Sequence, residues 1–181
     1  TLSGGSNSGS GDSGNDSNNT GSENTGSGNT SSDTTTTITT SKWKMVKTAN
    51  SITVGSKIVI VAKDYAKALS TNQKTNNRGQ TSVSKYTDGT DNLLSPSSTT
   101  QIFEVKAGKT SGTYALYTGS GYLCSQSSSE NVLRTRSSIT GNASWKFNFS
   151  SGAAKIVAQG SYTRNVLRYN GSLYFNPAKS D

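Results

Sequence analysis

Apolar residues are almost absent from the first part of this 181-residue chain and become frequent after it. All but six of the first 41 residues are Ser, Thr, Gly or Asn, and Leu2 and Ile38 are the two apolar positions among them. A segment of this kind cannot bury enough surface to offset the conformational entropy that folding removes. The pattern therefore predicts a disordered tether over residues 1–41 and one folded domain over residues 42–181.

From Trp43 onward the apolar residues come in short runs that are rich in β-branched and aromatic side chains. Several runs alternate apolar with polar positions, and clusters of Gly, Asn and Ser separate them, which is the pattern of strands joined by turns. The predicted strands cover residues 52–54, 57–61, 102–105, 114–117, 145–149 and 155–158. One segment, from Asp64 to Leu69, has the composition of a single helical turn. The domain is therefore predicted to be all-β.

One pattern occurs three times in the domain, and internal repeats of this kind indicate equivalent structural units. Each copy begins with an aromatic residue, at Trp43, Phe103 and Trp145, and a glycine-containing turn then leads into a second strand. A later element combines Leu with Arg and Asn, and Asn-Val-Leu-Arg stands at both Asn131–Arg134 and Asn165–Arg168. We interpret the three aromatic residues as core positions of the three units.

Three units that each start with an aromatic residue resemble the β-trefoil fold. Ricin-type lectins of that fold carry Gln-x-Trp in every repeat. The corresponding tripeptides here are Ser41-Lys42-Trp43, Gln101-Ile102-Phe103 and Ala143-Ser144-Trp145. One of them keeps the glutamine and two keep the tryptophan, so the resemblance implies a β-trefoil-like fold rather than ricin-type sugar sites. The alternative is a β-sandwich, whose short strands follow one another at similar spacing.

The chain also resembles an all-β carbohydrate-binding domain found in secreted proteins of gut bacteria, among them the starch-adherence proteins of amylosome systems. The motifs that carry this resemblance are Lys57–Ala62, Ala68-Leu69, Asn76–Arg78, Gly121–Leu123, Asn142–Trp145 and Arg164–Asn170. Some related domains accompany secreted nucleases. The resemblance implies a glycan-binding accessory domain of a secreted or cell-surface protein.

The composition excludes several kinds of catalysis. Without histidine and with Cys124 as its one cysteine, the chain cannot form a Ser-His-Asp triad, a Cys-His pair or a His/Cys zinc site. The closest pair of acids, Asp88 and Asp91, flanks an Asp-Gly turn signal and is interpreted as a hairpin. We therefore expect a domain that is not an enzyme, that needs no cofactor and that buries Cys124 as a small apolar residue.

Charge divides at the same boundary as hydrophobicity. Residues 1–41 carry four acids and no base, whereas residues 42–181 carry 18 bases and six acids, a net charge of +12. A domain this basic attracts polyanions, so nucleic acid is the alternative partner, although the lysines are scattered rather than clustered. No apolar stretch approaches the length of a membrane helix. We expect a monomer without a membrane span.

Recognition of a neutral polysaccharide requires flat aromatic rings that stack on sugar C–H surfaces, together with amide and guanidinium groups that pair with hydroxyls. The loops that follow the second strand of each unit are rich in these groups, above all in the third unit. The side chains that we expect to contact a ligand are Tyr169, Arg168, Arg164, Tyr162, Asn170, Asn165, Arg134, Tyr122, Arg78 and Asn77. The predicted partner is a polysaccharide, with an α-glucan such as starch as the first candidate.

Overall fold

The protein is described from a computed structural model, and the described residues are 43–62, 64–88, 91–171 and 174–179. The predicted tether lies outside these ranges. Among the described residues, strands dominate and two short 3-10 helices, Ala49–Ser51 and Gly141–Ala143, are the helical elements. The prediction of an all-β domain is therefore confirmed.

Fifteen strands run through the described residues. They are β1 Trp43–Lys44, β2 Lys57–Ile58, β3 Val61–Ala62, β4 Lys67–Gln73, β5 Arg78–Ser82, β6 Ser84–Asp88, β7 Asp91–Ser95, β8 Phe103–Ala107, β9 Tyr114–Tyr117, β10 Tyr122–Ser125, β11 Leu133–Arg136, β12 Ser144–Ser150, β13 Ala153–Ala158, β14 Arg164–Tyr169 and β15 Tyr174–Lys179. Every pairing between them is antiparallel, and β1, β7 and β6 form a separate three-stranded sheet.

The β12–β13 hairpin illustrates how alternation in the sequence becomes structure. Trp145 and Phe147 face the core, whereas Lys146 is exposed, because successive side chains of a strand point to opposite faces. The turn consists of Ser151 and Gly152, whose φ angles are 48° and 71°. Two consecutive positive φ values are the geometry of the tight turns that best fit the twist of a hairpin.

Two local predictions were wrong. Ala68 and Leu69, expected in a helical turn, lie fully buried in strand β4. Pairing of β4 with both β3 and β5 satisfies its backbone groups, so tertiary contacts override the helical propensity of this segment. Ile52, expected to start a strand, is buried directly after the first 3-10 helix and lies outside the named strands.

The strands repeat one arrangement of a first strand, a hairpin and a closing strand. In unit one, β2 pairs with the closing strand β8, and the hairpin is β4–β5. In unit two, β9 pairs with the closing strand β12, and the hairpin is β10–β11. Unit three has the first strand β13 and the hairpin β14–β15, but no closing strand among the described residues. A complete threefold trefoil is therefore not confirmed.

The units differ from the predicted repeat in two respects. The segment Asn131–Arg134 leads into the second strand of its hairpin, whereas Asn165–Arg168 lies in the first, so the two Asn-Val-Leu-Arg motifs are not equivalent. Trp43 also differs from Phe103 and Trp145. Both of those rings are fully buried in the main core, whereas Trp43 is half-buried and packs against a second, smaller apolar cluster.

Other expectations from the sequence agree with the structure. Asp88 of β6 pairs with Asp91 of β7 in the antiparallel register expected of a hairpin, whereas residues 89 and 90, where the turn was predicted, lie outside the described residues. Cys124 is a buried free thiol. No helix within the described ranges is long and apolar enough to cross a membrane.

Candidate functional site

The three hairpins contact one another in pairs and form what we call the hairpin face. Strand β5 of the first hairpin pairs with β15 of the third through Arg78 and Phe175. The N–H of Leu133, in the second hairpin, donates to the carbonyl of Asn76, in the turn of the first, at 2.9 Å. The hydroxyl of Ser125 in the second hairpin donates to the carbonyl of Arg164 in the third. Polar side chains from all three units therefore meet on one face.

Arg78 lies inside the hairpin face rather than on its surface, since 4% of the residue is exposed. Its Nη1 donates to Gln101 Oε1 at 2.7 Å, its Nε donates to Gln73 Oε1 at 3.1 Å, and its Nη2 donates to the hydroxyl of Thr135. Burial lowers the pKa of this guanidinium from its usual range. Arg78, expected to contact a ligand, instead joins the first hairpin to the second.

Arg134 and Arg164 also connect hairpins, but both remain partly exposed. Arg134 Nη2 donates to Asn76 Oδ1 at 2.9 Å, and Arg164 Nη1 donates to Asn131 Oδ1 at 2.7 Å. Neither partner is a carboxylate. Each hairpin thus contributes one arginine that donates to uncharged oxygens. Because none of these partners carries a negative charge, the hairpin face is electropositive.

Within the described part of the chain, four side-chain atoms on the hairpin face are buried without a hydrogen-bond partner. They are Asn77 Oδ1, Arg134 Nε, Arg164 Nε and Asn165 Oδ1. An unpaired buried polar group costs about 1–3 kcal/mol, so such groups are rare unless they have a role. Two of the four atoms are donors and two are acceptors. All four side chains are half-buried and belong to predicted ligand residues.

Tyr162 stands two residues before Arg164 in the segment that leads into β14. It is 36% exposed, and its N–H points to Asn142 Oδ1 at 3.4 Å. The neighbouring Thr163 N–H donates to the Ser128 hydroxyl at 3.1 Å. We call the group formed by Ser128, Asn131, Asn142, Tyr162 and Arg164 the Tyr162 surface. It combines an exposed ring with amide, hydroxyl and guanidinium groups from the second and third units.

Tyr169 lies at the opposite end of strand β14 from Arg164, roughly 17 Å away at about 3.4 Å per residue. Its ring packs against the core and contacts Phe175, with centroids 5.0 Å apart, and Tyr65, with centroids 4.9 Å apart. Its hydroxyl forms a hydrogen bond with Gln80. The neighbouring predicted residues Arg168 and Asn170 are exposed. Of the three rings in contact, Tyr65 is the one on the surface, with 47% of the residue exposed.

Tyr122 belongs to a third location. It starts strand β10, is half-buried and pairs its ring with Tyr117 at a centroid distance of 5.4 Å. The predicted ligand residues therefore do not form one cluster. Tyr162, Arg164, Asn165, Arg134 and Asn77 belong to the hairpin face, whereas Tyr169 and Tyr122 lie elsewhere.

Three residues of the Tyr162 surface, Ser128, Asn131 and Asn142, are not among the ligand residues predicted from the sequence. Asn131 opens the first Asn-Val-Leu-Arg motif, which was interpreted as part of the repeat. Ser128 stands in a run of serines that resembles a linker, and Asn142 belongs to a motif that was interpreted as a marker of the fold. Their proximity to Tyr162 depends on contacts between units, which local sequence does not reveal.

The groups of the hairpin face are hydrogen-bond donors and acceptors around an exposed ring. Among the described residues, no group of three His, Cys, Asp or Glu side chains lies in position to hold a metal ion. Comparison with known proteins found no matching family model, no matching curated protein and no matching solved structure.

Proposed function

We propose that this domain is a non-catalytic carbohydrate-binding module that attaches a secreted or cell-surface protein to a polysaccharide. The ligand binds at the Tyr162 surface. The observation that carries the proposal is the exposure of Tyr162 a few residues before Arg164 and Asn165, whose Nε donor and Oδ1 acceptor have no hydrogen-bond partner. Burial of an aromatic face against sugar C–H groups supplies affinity, and the polar groups supply orientation.

The mixture of unpaired groups favours a hydroxyl-bearing ligand. A hydroxyl donates one hydrogen bond and accepts others, so it can accept from an arginine Nε and donate to an asparagine Oδ1. A phosphate or carboxylate accepts alone and would leave Asn165 Oδ1 unpaired. Because Arg164 Nε and Asn165 Oδ1 are closed to solvent here, the half-buried side chains that carry them must rotate when the ligand binds.

The choice of an α-glucan rests on the sequence resemblance to starch-adherence proteins. Because the chain has no histidine, affinity for a neutral glycan should depend little on pH between 5 and 8. Salt should have little effect on the binding of a neutral ligand.

The test is affinity electrophoresis in gels that contain amylopectin, supported by titration calorimetry with malto-oligosaccharides. Tyr162→Ala should weaken binding about fivefold, because loss of a stacking ring costs on the order of 1 kcal/mol. Tyr65→Ala is the matched control, since it removes an exposed tyrosine outside the Tyr162 surface and should leave affinity unchanged. Equal retardation of Tyr162→Ala and the unaltered protein would reject the site. Binding to other glycans but not to amylopectin would reject the α-glucan.

The second candidate function is binding of nucleic acid or another polyanion. The observation that favours it is the set of three arginines without a carboxylate partner, on a domain of net charge +12. For DNA, log affinity should fall by about 0.7–0.9 per phosphate contact for each unit of log salt. A steep slope together with no retardation in amylopectin would favour this candidate over the first.

A further inference from the structure

The turn of the first hairpin is held against the second hairpin by hydrogen bonds to Leu133. The Leu133 N–H donates to the Asn76 carbonyl at 2.9 Å, and Gln73 Nε2 donates to the Leu133 carbonyl at 2.9 Å. The bond from Arg134 Nη2 to Asn76 Oδ1 joins the same two hairpins. We call the group formed by Gln73, Asn76, Asn77, Leu133 and Arg134 the first junction. The Tyr162 surface shares none of these residues.

Two buried atoms of the first junction have no hydrogen-bond partner among the described residues. They are the donor Arg134 Nε and the acceptor Asn77 Oδ1. Gln73 does not pair with either of them, because its Nε2 is directed at three backbone carbonyls and its Oε1 accepts from Arg78. The first junction thus uses Gln73 for its own structure and leaves one donor and one acceptor over.

The same arrangement occurs where the second hairpin meets the third. There Arg164 Nη1 donates to Asn131 Oδ1, and the atoms without a partner are Arg164 Nε and Asn165 Oδ1. Each of the two places has an arginine held by an asparagine of the preceding hairpin, together with one unpaired donor and one unpaired acceptor. These two pairs account for every buried side-chain nitrogen or oxygen that lacks a partner in the part of the chain that the structure describes.

Arg78 shows that an arginine between hairpins can be fully paired. Its Nε, Nη1 and Nη2 all donate to protein oxygens, and 4% of the residue is exposed. Arg134 and Arg164 instead stay half-buried and keep Nε unpaired. A buried polar group without a partner is costly, so its occurrence twice in the same arrangement favours completion by an external ligand.

We propose that the first junction is a second glycan-binding site of the domain, in which sugar hydroxyls accept from Arg134 Nε and donate to Asn77 Oδ1. Its ligand class, a hydroxyl-bearing sugar, rests on the proposed function. A hydroxyl both accepts and donates, which suits one free donor and one free acceptor in the same place. None of the five residues of the first junction is aromatic, so this site binds more weakly than the Tyr162 surface.

Two sites on one domain raise the affinity for a polymer more than that for a short oligosaccharide. Once one stretch of a polysaccharide is bound, the second site meets another stretch at a high effective concentration. Loss of the first junction should therefore weaken binding to amylopectin and leave the binding of maltotriose at the Tyr162 surface unchanged.

The test is an NMR titration of the full chain, isotope-labelled in its arginines, with maltotriose and maltoheptaose. The five arginines give five Nε–H signals, which are assigned through their own side-chain carbons and need no variant. The Arg134 and Arg164 signals should both shift and saturate. The signal of Arg168, which is exposed further along β14, should stay in place. In Tyr162→Ala the shift of Arg134 should persist, because the first junction does not include Tyr162.

Asn77→Ala removes the proposed acceptor, which has no partner in the described chain, so this variant should not lower Tm. It should weaken the binding reported by Arg134 about fivefold, the effect of one lost hydrogen bond, and leave the titration of Arg164 unchanged. Asn72→Ala, an exposed asparagine of the same hairpin, is the matched control and should change neither titration. In amylopectin gels Asn77→Ala should be retarded less than Asn72→Ala.

An Arg134 signal that does not move at sugar concentrations that saturate Arg164 would overturn the second site and leave the proposed function intact. A shift of Arg134 that vanishes in Tyr162→Ala, or that Asn77→Ala leaves unchanged, would also overturn it. A shift of Arg134 without one of Arg164 would support the second site and reject the Tyr162 surface. No shift at either arginine would reject both sites.

Discussion

Arg164 donates from Nη1 to Oδ1 of Asn131 at 2.7 Å, and this contact joins strand β14 of the third hairpin to the segment before β11 of the second. The backbone of Arg164 is held by the same hairpin, because the Ser125 hydroxyl donates to its carbonyl. The orientation of a proposed ligand residue is thus set by another unit of the fold. A change in Asn131 should therefore affect both stability and recognition.

A double-mutant cycle measures this relationship. Asn131→Ala and Arg164→Met should each lower the free energy of unfolding by about 1 kcal/mol, and the double variant should lose less than the sum, because one hydrogen bond is shared. Urea unfolding supplies the four free energies. Asn148→Ala, an exposed asparagine on β12, is the control and should change stability little. Additive losses would show that the two side chains do not interact.

Tyr169 should prove to be a structural residue. Its ring contacts Phe175 and its hydroxyl bonds Gln80, so Tyr169→Ala should lower the free energy of unfolding by about 2–4 kcal/mol, whereas Tyr169→Phe removes the hydroxyl alone and should cost about 1 kcal/mol. Titration calorimetry should give unchanged glycan affinity for Tyr169→Phe. A loss of affinity at unchanged stability would place the sugar at this end of β14 instead of at Tyr162.

Some strands and core residues could be predicted from the sequence, and others could not. The strand at Trp145–Phe149 was predicted from alternation, because it buries Trp145 and Phe147 and exposes Lys146. The strand at Tyr114–Tyr117 was predicted from its short aromatic and apolar run, and its two central residues are both buried. Leu69 was wrongly predicted to lie in a helical turn, because that prediction used its sequence neighbours alone. Its position in a strand depends on pairing with Gln80 of β5. The aromatic residues were correctly assigned to the core at Phe103 and Trp145.

The candidate site was less predictable than the fold. Counting aromatic, amide and guanidinium groups identified the third unit as rich in ligand chemistry, but it could not distinguish the buried Arg78 from the partly exposed Arg164. Whether an arginine faces a ligand or joins two hairpins depends on residues 20 to 60 positions away, such as Gln101 and Thr135. Such contacts have no local pattern.

Arg78 should tolerate no substitution well. Arg78→Met removes the charge and leaves Gln101, Gln73 and Thr135 without their donor, so the free energy of unfolding should fall by about 3 kcal/mol or more. Arg78→Lys keeps a charge but cannot reach several acceptors at once, and it should recover less than half of that loss. Thermal and urea unfolding report the effect. Full rescue by lysine would indicate that charge, rather than the hydrogen-bond geometry, is what this position requires.

Cys124 gives a stability test that depends on pH. Burial raises the pKa of its thiol, which donates to the Ser125 carbonyl at 3.2 Å. Below the pKa of the unfolded thiol, near 8.5, both states are protonated and the thiol contributes no pH dependence. Above that pH the unfolded state loses the proton first, so it binds fewer protons than the native state and stability falls as pH rises, until the folded thiol also ionises. The slope from one such group approaches about 1.4 kcal/mol per pH unit.

Urea unfolding of the unaltered protein and of Cys124→Ala at several pH values between 7 and 10, with a phosphine reductant, isolates this contribution because every other titrating group is common to both. The difference between the two proteins should be constant up to about pH 8 and then shrink as the unaltered protein loses stability. Parallel curves across the whole range would show that the thiol titrates equally in both states and is not protected by burial.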